Sequence, residues 1–308
     1  MSDKSSALQQ ISTLAQQSEL TAKEIYDYLT HETPQERESL VTRVLAYLGA
    51  VFLLGGISAY AAMFWPEMSS IVRVVITLGL GFILYVTAVI SDVTKHLPKL
   101  TTPLHIIAFL LQITGLFVFL AEYFESTNRW QEPVLFVFGT LAIQQYLTFL
   151  ALKRTTLLFH TLFCLSLCLL AILDIVYLDI SLSFTVVGTL LIVASYYLDK
   201  TDYYAITPFW YFVGSLTALT ALFDFLLDNK LDIIFLLPSC FLVYLSTVVY
   251  SRTLLFVSVL SIFCFLAYFT GTYFSDSIGW PLSLIIIGFL LFGLSSIGYK
   301  ISRKIKSK

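Results

Sequence analysis

Residues 153–200 read KRTTLLFHTLFCLSLCLLAILDIVYLDISLSFTVVGTLLIVASYYLDK. Two apolar runs, Thr156 to Leu173 and Leu182 to Leu198, are joined by a short turn that holds Asp174 and Asp179. Lys153 and Arg154 precede the first run and Lys200 follows the second. Each run lies within the roughly 17 to 25 residues that a helix needs to cross a hydrocarbon core about 30 Å thick. Lysine and arginine are retained on the cytoplasmic side of a membrane, so the basic ends face inward and the acidic turn faces outward. The segment therefore reads as a helical hairpin that leaves the cytoplasm and returns to it.

The same pattern extends in both directions. Further spans are expected at approximately Val44 to Phe64, Ile71 to Ile90, Leu104 to Tyr123 and Val134 to Leu152 before it. After it come Ile206 to Leu227, Leu231 to Val249, Leu254 to Phe274 and Trp280 to Tyr299. This makes an all-α polytopic membrane helix bundle of about ten transmembrane helices with a short N-terminal cytosolic helical segment. The expected organisation is a head over residues 1–43, a membrane domain over 44–299 and a basic cytosolic tail over 300–308. Composition agrees: 58% of the chain is hydrophobic and 12% charged, against roughly 25% charged in a soluble domain. A lipid bilayer is thus the main partner, and without a basic stripe nucleic acid is not expected to be one.

Charge tests the threading. With both termini in the cytoplasm, fifteen of the eighteen Lys and Arg fall on the inner side, leaving Arg73, Arg129 and Lys230 outside. An odd number of spans would place the basic C-terminus on the wrong side. The outer helix ends are correspondingly acidic, with Glu122, Asp174 and Asp224 among the carboxylates there. The first apolar run begins near Val44 with no cleavage signal ahead of it, so the first span itself is expected to direct insertion and to stay in the mature protein.

The head is helical by pattern. Leu8, Ile11, Leu14 and Ala15 recur at helical spacing, and Thr21 with Glu24 forms a capping box, in which the hydroxyl and the carboxylate satisfy reciprocal backbone amides. Thr33-Pro34-Gln35-Glu36 opens another helix with proline at its first position, leading toward the first span. A unit this short cannot bury a core alone. It is expected to pack on the membrane surface, on a second copy, or on another protein.

Leu20-Thr21 with Glu24, Leu48-Gly49-Ala50, Gly55-Gly56, Trp65 and Arg73 carry a resemblance. From Leu8 to about Ile90 the chain resembles a family of bacterial predicted membrane proteins known only as a domain of unknown function (2157 type). Phe64 stands where the family commonly has Asn before the Trp, and Ser18 where it commonly has Gly. The resemblance implies a membrane protein and implies no activity.

Polar groups within the spans are the candidates for function. Gln112, Gln144 and Gln145 lie mid-span, where an unpaired amide is costly, so neighbouring helices are expected to bring Gln112 and one of the pair together. Structural hydrogen bonding and a polar solute path are both open for them. His160 is an intramembrane ionisable group about one turn from Arg154, within reach of water. Asp174, Asp224 and Glu122 are expected at the outer rim. Gly49, Gly55 and Gly56 put small side chains along the first span, which is expected to be a closely packed helix.

No metal or cofactor site is expected. Cys164, Cys168, Cys240 and Cys264 all fall in apolar runs without zinc-like or redox spacing, and the histidines are scattered. Neither a His-Glu-x-x-His, a Gly-x-Ser-x-Gly nor a phosphate-cradling loop is present, so an enzyme is not expected. Two classes remain: a scaffold that engages its own copy or another protein through residues 1–43, and a small-solute transporter with a midplane site.

Overall fold

In hydrocarbon a backbone must satisfy its own N–H and C=O groups, so apolar runs of this length become helices. The computed structural model describes residues 34–95, 100–124 and 129–274, together with 281, 285 and 288. Among the described residues there is no strand, and nine stretches are long and apolar enough to cross a membrane. The helices are α1 (Pro34–Phe64), α2 (Ser70–Thr94), α3 (Thr101–Tyr123), α4 (Gln131–Leu152) and α5 (Thr155–Ile175). They continue with α6 (Ile180–Leu198), α7 (Thr207–Asp228), α8 (Leu236–Val249) and α9 (Arg252–Phe274). Short 3-10 turns at Tyr204–Ile206 and Asp232–Phe235 lead into α7 and α8. The chain is an all-α polytopic membrane protein. The tenth expected span, residues 1–33 of the expected head and the tail lie outside the described residues, apart from 281, 285 and 288.

Local chemistry sets the helix ends. Pro34 begins α1, which continues unbroken to Phe64 and so joins the proline-led segment to the first span. Asp179 caps α6, its carboxylate accepting from the amides of Ser181 at 2.9 Å and Leu182 at 3.1 Å. Lys95, Lys153 and Tyr250 end α2, α4 and α8 in the left-handed region. The turn then closes through an amide bonded back to the last helical turn.

By contacts the chain divides into two compact units, Met1–Gly115 and Leu116–Lys308, each with its own packing. In the first, α2 carries a π-turn over Val75–Gly79, where Thr77 Oγ1 donates to the Arg73 carbonyl at 2.8 Å. The turn places Leu78 against Gly115 of α3: a β-carbon built on Gly115 would lie 2.4 Å from Leu78 Cα. One turn on, a β-carbon at Gly81 would lie 2.9 Å from the Gln112 amide. These two glycines bring α2 and α3 together backbone to backbone.

The first span differs from the expectation. Gly49, Gly55 and Gly56 face open space, with nothing within 4 Å of an added β-carbon, and none of the α1 membrane window is buried. Small residues permit close approach but do not supply a partner, and among the described residues the close approaches fall on other glycines.

In the second unit the closest pair is α6 and α7. Gly188 faces Gly214 and Ala218, and a β-carbon at Gly188 would lie 2.6 Å from both the Ala218 amide and the Gly214 carbonyl. Helices α4 and α5 pair next, as do α8 and α9, and α7 also packs on α9. Tyr211, Leu219, Phe235, Leu254, Val257 and Phe265 form the centre of the largest buried cluster. The remaining helix faces keep large apolar side chains exposed, among them Ile143, Leu147, Phe241 and Phe256, as a lipid-facing surface requires.

Candidate functional site

Mid-span polar side chains are enclosed by protein. Gln112 of α3 is 2% exposed, Gln145 of α4 is 1% exposed and His160 of α5 is 3% exposed, while Gln144 is half-buried. His160, expected within reach of water because Arg154 is close in sequence, is instead closed in. Gln112 belongs to the first unit and Gln145 to the second. The Gln145 carbonyl oxygen has no hydrogen-bond partner among the described residues. Most helix hydroxyls fold back onto their own backbone: Thr140, Thr161, Ser195 and Ser215 each donate to the carbonyl four residues before. Cys164 and Cys168 are buried free thiols.

Carboxylates near the helix ends are each held by a neighbouring helix. Gln131 Nε2 at the start of α4 donates to Asp174 Oδ2 near the end of α5. Ser181 Oγ of α6 donates to Asp224 Oδ2 of α7 at 2.7 Å, and Tyr273 OH of α9 donates to Asp232 Oδ2 at 2.9 Å. On the opposite side, Asp199 accepts from Thr207 Oγ1 and, at 2.8 Å, from Tyr211 OH. Asp174 is half-buried and Asp224 exposed, while Glu122 is half-buried near the end of α3. Asp199 ties α6 to α7 at the turn that joins them, whereas Asp174, Asp224 and Asp232 tie helix ends on the side away from the connecting turns.

The deepest such pair was not singled out by sequence reasoning. Asp92, near the end of α2, and His105, in the first turns of α3, have side chains only 2% exposed. Because a carboxylate offers only acceptors, His105 Nε2 donates to Asp92 Oδ2, across 3.0 Å. Ser91 and Thr101 hydroxyls bond beside it at 3.2 Å. The available signal was an Asp just past the second expected span and a His thirteen residues on, at the start of the third.

Two residues of the resemblance touch each other. Arg73 Nε donates to the Trp65 carbonyl at 3.1 Å, and its guanidinium carbon lies 5.2 Å from the centre of the Trp65 ring. The pair ties α2 to the turn that follows α1.

A cavity of about 260 Å³ opens beside Asp174 between α4, α5 and α6. Val134, Leu167, Leu170 and Ile180 form its apolar wall, with Trp130, Phe138 and Phe184 as its aromatic part and Asp174 and Ser183 as its polar part. A second cavity of about 150 Å³ lies among α7, the Asp232–Phe235 turn and α9, lined by Phe223, Phe235 and Phe265 together with Thr220 and Ser261. Among the described residues, no three of His, Cys, Asp and Glu gather as metal ligands would.

Comparison with known proteins adds one match. A family described as Predicted membrane protein (DUF2157) matches residues 9–153. The matched region takes in every position of the resemblance above and continues past Ile90 through α3 and α4. It includes Asp92, His105, Gln112 and Gln145. No curated protein and no solved structure matches the chain.

Proposed function

We propose that this chain is a non-enzymatic membrane scaffold of the bacterial inner membrane, with both termini cytoplasmic and residues 1–43 as the segment that engages a second copy or another protein. The supporting observation is the enclosure of Gln112, Gln145 and His160, at 1% to 3% exposure. A solute path through the spans requires its polar lining to be wet, and these side chains are closed in by the protein around them. The latched carboxylates point the same way, since each is hydrogen-bonded to a side chain of a neighbouring helix.

The test pairs two measurements on the full chain. Leu14→Ala with Leu29→Ala, both within the proposed interaction segment, is expected to change the oligomer size or the co-purifying proteins while leaving membrane insertion intact. Purified protein in liposomes is expected to move no small solute. Solute-dependent flux abolished by Gln112→Leu would establish the transporter reading instead, and unchanged association in the head variant would remove the scaffold.

A further inference from the structure

The cavity beside Asp174 has an unusual distribution of unused hydrogen-bonding capacity. Ser183 is 3% exposed and lines the cavity, yet its hydroxyl has no partner among the described residues. On the same helix, Thr185, Thr189 and Ser195 all satisfy themselves on the carbonyl four residues back. Leaving a buried hydroxyl unpaired is unfavourable, so its bonding capacity is available to something that enters. Asp174 spends one oxygen on Gln131 Nε2, and no other bond to its side chain is formed among the described residues. Gln131 thereby fixes the carboxylate and contributes a further buried acceptor, its own Oε1, that is also unpartnered.

The chemistry of the wall selects the ligand. Asp174 is the one charged residue among those lining the cavity, so an anion finds no counter-charge there. One carboxylate and one hydroxyl fall short of the six to eight oxygens that a calcium ion takes, and the rest of the wall offers a metal nothing. An organic ammonium fits both parts. Its N–H groups would donate to Asp174 and Ser183, and its hydrocarbon body would replace water against Val134, Leu167, Leu170 and the rings of Trp130, Phe138 and Phe184.

We propose that the cavity between α4, α5 and α6 binds a primary ammonium carried on a compact apolar body, with Asp174 as the counter-ion and Ser183 as the second hydrogen-bond partner. A free amine and the ethanolamine headgroup of a lipid present the same group. The site stands whether or not the spans act as a scaffold, since it needs only the three helices around it.

The probe is 2-phenylethylamine, titrated by calorimetry into the full chain in phosphatidylcholine nanodiscs, with uncharged 2-phenylethanol as control. Saturable binding of the amine is expected, weakened about tenfold or more by Asp174→Asn and several-fold by Ser183→Ala. The Asn oxygen still accepts from Gln131, and an unchanged unfolding temperature in the absence of amine shows that the fold is kept. Repeating the titration in nanodiscs containing phosphatidylethanolamine separates the sources: weaker apparent binding identifies the lipid headgroup as occupant, and unchanged binding identifies a free amine. Absence of saturable binding, equal binding of the alcohol, or full binding by Asp174→Asn overturns the proposal. None of these results bears on association through residues 1–43.

Discussion

Gly188→Ala should separate α6 from α7. A β-carbon at Gly188 would sit 2.6 Å from the Ala218 amide nitrogen and 2.6 Å from the Gly214 carbonyl oxygen, whereas ordinary contact begins at 3.4 Å. Both obstacles are backbone atoms, so no rotamer change relieves them, and the helices must part by about 0.8 Å, the difference between those distances. A gap of that size removes roughly a quarter to a half of the dispersion energy of each contact it opens. Overpacking of this kind costs about 1 to 3 kcal/mol, and the upper end applies because the strain is backbone against backbone. The alanine recovers about 0.5 to 1 kcal/mol of helix propensity, for a net loss of about 2 kcal/mol. The control is Gly139→Ala on α4, where nothing lies within 4 Å and only the propensity gain remains. Reversible unfolding in mixed detergent micelles, read by circular dichroism, measures both. Adding Ala218→Gly removes only the 2.9 Å contact with the Ala218 β-carbon and should restore a minor part of the loss. If Gly188→Ala proves as stable as Gly139→Ala, the close α6–α7 contact is not a feature of the folded protein.

The other expectations follow from the same geometry. His105→Leu removes the His105 partner of the buried Asp92 carboxylate and should cost about 3 to 5 kcal/mol, most of it recovered by the double variant with Asp92→Leu; unfolding midpoints of the three variants decide this, and an unimproved double variant would contradict it. Tyr211→Phe removes one of the two side-chain bonds to the exposed Asp199 and should lower stability by about 1 kcal/mol in the same assay. Gly115→Ala, with a methyl 2.4 Å from Leu78 Cα, should destabilise the protein, whereas Gly56→Ala in the open first span should not; comparing their yields of monodisperse protein after detergent extraction ranks them.

The number and placement of the spans through Phe274 were legible because membrane crossing is a local property. Length and apolarity of a single segment decide whether it spans, whatever its neighbours do. Helix ends were partly legible for the same reason, since Asp179 caps its own helix. The enclosure of His160 and the open space beside the first-span glycines were not legible, because burial and close approach belong to a pair of helices. Gly49, Gly55 and Gly56 match the small-residue pattern as well as Gly188, Gly214 and Ala218 do, and only the second set meets a facing backbone.

By itself the sequence determined the solvent of this protein, its helical class and the alternation of basic and acidic helix ends. Tertiary structure alone decided that Gln131 meets Asp174 and that Ser181 meets Asp224, each across forty-three residues. It alone decided that Ser183 opens onto a cavity while its neighbours bond to their own helix. Hydropathy is a sum over one segment, whereas a polar contact in the membrane depends on which face of which helix arrives opposite, and that is set by how the backbones pack.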